Sequence, residues 1–253
     1  MKIFLLGFLL IFSFSSCYSE STQQPAAPVI DLPLSFCKQL DLPLPMLYRA
    51  HPWHGIPMGE KAPEIVNCFV EMVPADSVKY EIDKDTGILK LDRPHKYSSR
   101  CPTPYGFIPR TYAGKRVAEF TSQKMSNRAV VGDRDALDVC ILTESAIVHG
   151  DLMLRAIPIG GFCLLDGNEA DDKIIAVLEG DFTFGNMKDI NECSDKIIER
   201  LRHYFLTYKD APERGSHSKI QIDHIYGREE ALEVIKRGYQ DYLDYIKDYS
   251  GKN

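Results

Sequence analysis

The chain has 253 residues, enough for one large domain or two small ones, and an ordinary globular composition with 44% hydrophobic residues. Its 30 basic and 36 acidic side chains give a formal net charge of −6. Nucleic-acid binding through phosphates needs a basic surface, so this balance argues against nucleic acid as the main partner.

The first 44 residues differ in character from the rest of the chain. After Met1 and Lys2, an apolar run over residues 3–14 is too short to span a bilayer comfortably, and small serines precede Cys17. This pattern predicts an export signal over residues 1–17, ending at Cys17 either by lipidation, as in bacterial lipoproteins, or by simple cleavage nearby. A polar, Pro-containing linker over residues 18–44 would then lead into a globular domain over residues 45–253.

The leader also predicts where the protein resides. We expect an exported or periplasmic protein that touches the membrane only through a lipid anchor at Cys17. Met46 offers an alternative internal start, which would give a cytoplasmic form.

Short apolar runs punctuated by Gly, Pro and Asp predict strands in the first two thirds of the globular segment. They cover Ile65 to Val73, Val78 to Ile82, Ile88 to Leu91, Val139 to Thr143, Leu152 to Ile159 and Lys173 to Leu178. Many short strands joined by turns favour a β-barrel or sandwich. Cys68, Cys140 and Cys163 lie in or beside these runs, where a thiol is usually a small buried hydrophobe rather than half of a disulfide.

Two amphipathic helices are predicted near the end of the chain. Asp195 to Tyr208 carries apolar residues at helical spacing behind Ser194, a candidate N-cap. Arg228 to Tyr249 carries a second such stripe. We expect both helices to pack on the barrel.

Three carboxylates precede the fourth predicted strand with the spacing Asp133-x-Asp135-x-x-Asp138. Clustered carboxylates stay ionised only beside strong positive charge, and oxygen ligands suit Mg²⁺, Mn²⁺ or Ca²⁺ better than Zn²⁺. An EF-hand starting at Asp133 fails, because Leu137 would stand at a ligand position and Asp138 at the required glycine. Spacing alone leaves two readings open: a divalent metal site, or ordinary turn chemistry before a strand.

Further charged and phenolic groups lie in or beside the apolar segments. Glu71 interrupts an apolar strand, and strand alternation places Lys79 and Glu81 on one face. If that face lines a barrel interior, the charges need partners, and a metal-bound anion would supply them. Lys209 and Tyr208, at the end of the first helix, also have ordinary explanations in the helix dipole and the packing stripe.

In order and largely in spacing, these residues resemble the soluble inorganic pyrophosphatases over roughly residues 45–246. The resemblance rests on Glu71, Lys79-Tyr80-Glu81, Arg93, Pro104-Tyr105-Gly106, the Asp133, Asp135 and Asp138 motif, Asp166 through Lys173, and Tyr208-Lys209. The stretches at residues 51–55 and 171–177 are most similar to the plant and chlamydial members.

The resemblance implies a fold and an activity. The fold is α+β but mainly β, an OB-like five-stranded β-barrel with flanking C-terminal helices. The activity is Mg²⁺-dependent hydrolysis of diphosphate to two phosphates, with several Mg²⁺ ions in each active site. The implied partners are a small-molecule substrate and further copies of the chain in a homo-oligomer.

Residue by residue, the resemblance also implies roles. Metal ligands would be Asp133, Asp138, Asp166 and Asp171, with Asp138 shared between two ions. The phosphates would be held by Lys79, Arg93, Tyr105, Lys173, Tyr208 and Lys209. Asp135 would orient the attacking water and act in catalysis with Tyr105, Arg93 and Lys79. Glu71 and Glu81 would support the site. Such an inventory suits the chemistry, because a multiply charged anion is attacked by water only once its charge is neutralised.

The chain departs from the family pattern in two places. Cys101 stands where a second tyrosine is usual, four residues before Tyr105, so one hydroxyl near the phosphates is absent or supplied elsewhere. Residues 111–132 form a longer loop than in compact bacterial members, and we expect it to cover the site or to alter subunit contacts.

Two other functions fit part of the pattern. An exported, nonenzymatic Ca²⁺-binding module would explain the acids and the leader, but not the lysines and arginine among the acids, since cations weaken a pure calcium site by repulsion. A Mg²⁺-dependent phosphatase of organic phosphates would need a pocket for the organic group.

Overall fold

The computed structural model describes residues 49–96, 98–126, 128–209 and 219–250. The predicted export signal over residues 1–17 and the predicted linker over residues 18–44 lie outside these ranges. The described strands are β1 (Val66–Met72), β2 (Val78–Ile82), β3 (Leu89–Pro94), β4 (Tyr105–Phe107), β5 (Val131–Gly132), β6 (Asp138–Leu142), β7 (Leu152–Asp166), β8 (Glu169–Ala170), β9 (Lys173–Leu178) and β10 (Ile220–Gly227). The described helices are α1 (Lys115–Lys124), α2 (Asp195–Thr207) and α3 (Arg228–Ser250), with a short 3-10 turn at Ile190–Glu192.

Five strands close into a ring in the order β1, β4, β6, β9, β7 and back to β1. Neighbours are antiparallel except β6 and β9, which run parallel. Both faces of β6 and β9 are buried, which suits their near-continuous apolar sequence. One face packs with α1 and α3 and the other with α2. The predicted mainly β, OB-like five-stranded architecture with packed C-terminal helices is confirmed.

Strand β7 is twice as long as predicted, because the expected break at Gly160 and Gly161 is not a turn. A Cβ at Gly160 would lie 2.4 Å from the Tyr226 carbonyl oxygen, and one at Gly161 would lie 2.5 Å from the Tyr226 ring. The two glycines let β10 pack closely against the middle of β7, and a register shift occurs between Pro158 and Gly160. The prediction of a strand ending at Ile159 was therefore wrong.

Tyr105 is the first residue of strand β4. A Cβ on Gly106 would lie 1.9 Å from the Phe69 carbonyl oxygen, so only glycine permits the pairing of β4 with β1. This close pairing fixes Tyr105 against the core.

Strands β2 and β3 form a separate two-stranded sheet outside the ring. The idea that the Lys79 and Glu81 face lines a barrel interior is therefore wrong. The two side chains do share a face, since Lys79 Nζ lies 2.6 Å from Glu81 Oε2.

The predicted long loop over residues 111–132 contains helix α1, which packs on α3. Its N-cap, Gly114, offers no side chain. The carboxylate of Asp241 from α3 instead accepts hydrogen bonds from the backbone N–H groups of Gly114, Arg116 and Val117 at 3.0–3.1 Å. The helix is thus capped by a residue about 125 positions away.

Helix α2 begins where predicted, after Ser194, although the Ser194 side chain makes no capping hydrogen bond. Its predicted stripe is buried, and the helix ends at Thr207 with Tyr208 as the C-cap. Among the described helices, none combines the length and the apolar character needed to cross a bilayer. The five cysteines between residues 68 and 193 are buried free thiols.

Candidate active site

The site forms where the starts of two parallel strands meet. Asp138 is the first residue of β6 and Lys173 the first residue of β9, and the two are register partners. The loops that precede these strands carry the Asp133 motif and the acids between Asp166 and Asp171. Parallel pairing therefore brings two acidic segments together that lie more than 30 residues apart in sequence.

A cavity of about 310 Å³ opens at this junction. All thirteen residues that the sequence predicted for the site line it: Glu71, Lys79, Glu81, Arg93, Tyr105, Asp133, Asp135, Asp138, Asp166, Asp171, Lys173, Tyr208 and Lys209. Their convergence is a structural fact, whereas the role of each stays a prediction.

Lys173 lies at the centre of the acidic cluster and is 1% exposed. Its ammonium forms ion pairs with Asp138 and Asp171. Burial lowers the pKa of Lys173, but the two carboxylates outweigh it, so the pKa lies well above its usual value. The lysine is a fixed positive charge among the acids.

Asp133 and Asp171 are the acids most affected by their surroundings. Burial and the nearby carboxylates of Asp171 and Asp138 raise the pKa of Asp133 to about 9. Burial also raises the pKa of Asp171, against the opposing effect of Lys173. The metal-free protein therefore holds a proton on Asp133 near neutral pH.

The hairpin of β2 and β3 supplies two cations on one side of the cavity. Lys79 Nζ lies 2.6 Å from Glu81 and 3.0 Å from Asp92, and Arg93 contacts the same Asp92 carboxylate at 2.5 Å. Glu71 holds this hairpin against the ring, because its Oε1 accepts a 2.8 Å hydrogen bond from the backbone N–H of Ile82. Burial raises the pKa of Glu71 to about 8.

Residues at the C-terminus of α2 also line the cavity. Lys209 Nζ lies 2.5 Å from Asp166 Oδ2. The Tyr208 ring is 9% exposed and stacks on Tyr204 at 5.1 Å, so it packs in the core while also lining the cavity. Burial raises the pKa values of Tyr208 and Tyr105, which keeps both phenols protonated as hydrogen-bond donors.

Sequence reasoning missed several residues of the cavity, of which Lys84 is the clearest. Its ammonium lies 2.7 Å from Asp135 Oδ2 and 5.8 Å from the centre of the Trp53 ring. Lys84 stands in a polar turn, a pattern that predicts exposure to solvent, so no local feature of the sequence indicates that it belongs to the site. Asp92 was visible only as the neighbour of Arg93, and Glu169 only as one acid in a run.

The described residues at the two departures from the family pattern do not line the cavity. Cys101 is 2% exposed and packs in the cluster that contains Tyr105 and Tyr204, but it is not a lining residue. Of residues 111–132, none that the structure describes lines the cavity. Of the two alternatives for this segment, the structure does not support a cover over the site, and an effect on subunit contacts stays a prediction.

The donor set fits divalent cations. Among the residues that the structure describes, nine acidic and five basic side chains line the cavity, so an anion would meet a net negative surface. Oxygen donors from Asp133, Asp138, Asp166 and Asp171 are those that hard cations prefer. Bound divalent cations would make the same cavity attractive to an anion.

Comparisons with known proteins point to one family. The family model for inorganic pyrophosphatase matches residues 68–243. An inorganic pyrophosphatase of Chlamydia trachomatis is 48% identical over 198 residues, which cover 77% of this chain and 95% of that protein. A soluble inorganic pyrophosphatase of Oryza sativa is 34% identical over 197 residues, or 78% of this chain and 81% of that protein.

The fold gives the same result. The crystal structure of an inorganic pyrophosphatase from Thermus thermophilus superposes with a TM-score of 0.63 at 27% identity. The superposition covers 77% of this chain and 99% of that one. The matches to the Chlamydia trachomatis and Oryza sativa proteins confirm the predicted similarity to chlamydial and plant members.

Proposed function

The chain belongs to the inorganic pyrophosphatase family, and on that premise we propose that it hydrolyses diphosphate to two phosphates with Mg²⁺ as the cofactor. The observation that carries the proposal is the cavity itself, in which a cluster of carboxylates lies beside the cations Lys79, Arg93, Lys173 and Lys209. Carboxylates alone would suit a cation, and cations alone would suit an anion. Their combination suits an anion bound together with metal ions.

Asp133, Asp138, Asp166 and Asp171 would hold the ions. When bound, Mg²⁺ supplies positive charge beside the phosphates and lowers the pKa of the attacking water. Asp135, positioned by Lys84, would orient that water and accept its proton.

The remaining side chains bind the substrate. Lys79, Arg93 and Lys209 bind phosphate oxygens, and Lys173 adds a fixed positive charge. Tyr105 and Tyr208 donate hydrogen bonds, because their raised pKa values keep the phenols protonated. Together these groups stabilise the charge that moves to the leaving phosphate.

The lining of the cavity disfavours the two alternative functions. A pure Ca²⁺ site gains nothing from five basic side chains. A phosphatase of organic phosphates needs a surface for the organic group, yet within the described part of the chain the apolar lining consists of Trp53, Ile82, Phe107 and Ala136.

Phosphate release tests the proposal directly. The protein is assayed with diphosphate, a nucleotide triphosphate and a sugar phosphate, each with Mg²⁺ and with Ca²⁺. We expect turnover of diphosphate with Mg²⁺ and inhibition by Ca²⁺, because the larger ion accepts looser geometry. Equal activity with Ca²⁺, or preference for an organic phosphate, would overturn it.

We also propose that the chain is exported and forms a homo-oligomer. Export is supported by the apolar run before Cys17, and oligomerisation by the family resemblance. Mass spectrometry of the mature N-terminus distinguishes lipidation at Cys17 from simple cleavage and from a start at Met46. Light scattering of the purified protein gives the number of copies, and a monomer would contradict the second proposal.

A further inference from the structure

A second group of metal-binding side chains lies outside the cavity. The ligand atoms of Cys163 on β7 and of Asp223 and His224 on β10 all lie within 4.8 Å of one another. None of the three lines the cavity. Thiol, imidazole and carboxylate meet here in a combination unlike the oxygen donors of the active site.

The backbone brings these side chains together in an unusual way. Cys163 and His224 are register partners on antiparallel strands, so their side chains share one face. Asp223, next to His224, should then point to the opposite face. A register shift between Ile222 and His224 leaves Asp223 unpaired and re-aims it, and its Oδ2 lies 2.9 Å from His224 Nδ1.

A further carboxylate fixes the imidazole. Glu230, in the first turn of α3, places Oε1 3.0 Å from His224 Nε2, and its Oε2 lies 2.7 Å from Lys124 Nζ at the end of α1. A carboxylate on the outer ring nitrogen is the usual support of a metal-binding histidine. With Nε2–H donating to Glu230, the Nδ1 side is left to face Asp223, and a proton or a cation must lie between them.

We propose that Cys163, Asp223 and His224 bind one transition-metal ion of borderline softness, such as Zn²⁺. Sulfur, nitrogen and oxygen together favour Zn²⁺ over Mg²⁺, which prefers oxygen alone. The Cys163 thiol loses its proton to solvent when the ion binds. Its side chain is almost fully buried at the floor of the site, whereas the side chains of Asp223 and His224 are 38% and 32% exposed and leave a path for the ion and a position for water.

The site has a structural consequence. Its ligands join the second half of β7 to β10, and Glu230 extends the link to α3 and, through Lys124, to α1. An ion that binds only the folded state stabilises it by mass action. Neither the link nor the binding depends on diphosphate hydrolysis.

Cobalt absorption tests the proposal with the full chain. The protein is stripped with a chelator, supplied with excess Mg²⁺ to fill the oxygen-rich cavity, and titrated with Co²⁺. We expect a near-ultraviolet sulfur-to-cobalt charge-transfer band that saturates at one equivalent and is displaced by Zn²⁺. Because the band requires a thiolate ligand, Co²⁺ at the active-site carboxylates does not contribute to it.

Variants identify the ligands. Cys163→Ala should abolish the band, and His224→Gln and Asp223→Asn should weaken Co²⁺ binding by about tenfold or more. The latter two positions are partly exposed, so they report even if Cys163→Ala folds poorly. Matched controls are Cys68→Ala, another buried strand cysteine, and His203→Gln, an exposed histidine on α2. A parent protein without the band, or a band that survives in Cys163→Ala or is unchanged in His224→Gln, would overturn the proposal.

Discussion

Asp138 and Lys173 are register partners at the first positions of the parallel strands β6 and β9, and their side chains form an ion pair. In a parallel pair, the segments that enter both strands arrive at the same end of the sheet. An acidic segment leads into a strand twice in this sequence, and both segments line the same cavity. Lys173 stands between them and repels any cation that the acids attract.

This position predicts opposite effects of Lys173→Gln on metal binding and on turnover. Removing the ammonium removes a repulsive charge, so Mg²⁺ should bind at least as tightly as in the parent protein. The substrate loses a fixed positive charge, so turnover of diphosphate should fall by about a hundredfold. Calorimetry with Mg²⁺ alone, beside steady-state kinetics at saturating Mg²⁺, measures the two effects. Weaker Mg²⁺ binding in the variant would show that the lysine organises the carboxylates rather than opposing the metal.

Local patterns predicted two short strands in full, since β2 and β9 match their predicted bounds. They failed where a distant residue decides the structure. Asp241 of α3 caps the N-terminus of helix α1, and the sequence between residues 111 and 132 contains no pattern that predicts this contact. Likewise, Gly160 and Gly161 predicted the end of a strand. They lack side chains because β10, which lies some 60 residues later in the sequence, packs closely against them.

The same distinction applies to the site. Residues that belong to dense acidic or mixed-charge motifs could be found from the sequence, and the family resemblance then assigned a role to each. Lys84 could not, because its contact with Asp135 spans 51 positions and its turn looks like solvated surface. The pairing of Asp223 with His224 was equally hidden, because a bulge overrides the alternation that sequence reasoning assumes.

Tyr208→Phe should distinguish two hypotheses for this residue, a hydrogen bond to the bound phosphate and a packing role alone. The ring stacks on Tyr204 and is buried, so the variant should keep the melting temperature within about 2 °C. Loss of the hydroxyl at the cavity should reduce turnover by about tenfold, the effect of one hydrogen bond to a charged group.

Tyr204→Phe is the matched control for that experiment. The Tyr204 hydroxyl is buried in the same cluster but does not line the cavity. Its removal should leave turnover unchanged. A large loss of stability in Tyr208→Phe with normal specific activity would assign Tyr208 to the core alone.

Metal binding should release a proton, because burial and neighbouring carboxylates raise the pKa of Asp133 to about 9 in the metal-free protein. At pH values below about 9, Asp133 carries a proton that a cation must displace. Apparent Mg²⁺ affinity should therefore rise with pH between about 6 and 9, by up to tenfold per unit for each proton released. Calorimetry in two buffers of different ionisation enthalpy counts the protons. Zero release at pH 7 would mean that the acids are already ionised and would contradict the burial argument.

The final prediction distinguishes Asp138 from Asp135 within the opening motif. Asp138 contacts Lys173 deep in the cluster, whereas Asp135 pairs with Lys84 and has a side chain that is 50% exposed. If Asp138 holds the ions, Asp138→Asn should weaken Mg²⁺ binding and turnover together. If Asp135 accepts a proton from water, Asp135→Asn should lower turnover by roughly a hundredfold with a smaller effect on Mg²⁺ affinity. Mg²⁺ titration and turnover of both variants decide the matter, and loss of metal in Asp135→Asn with retention in Asp138→Asn would reverse the assignment.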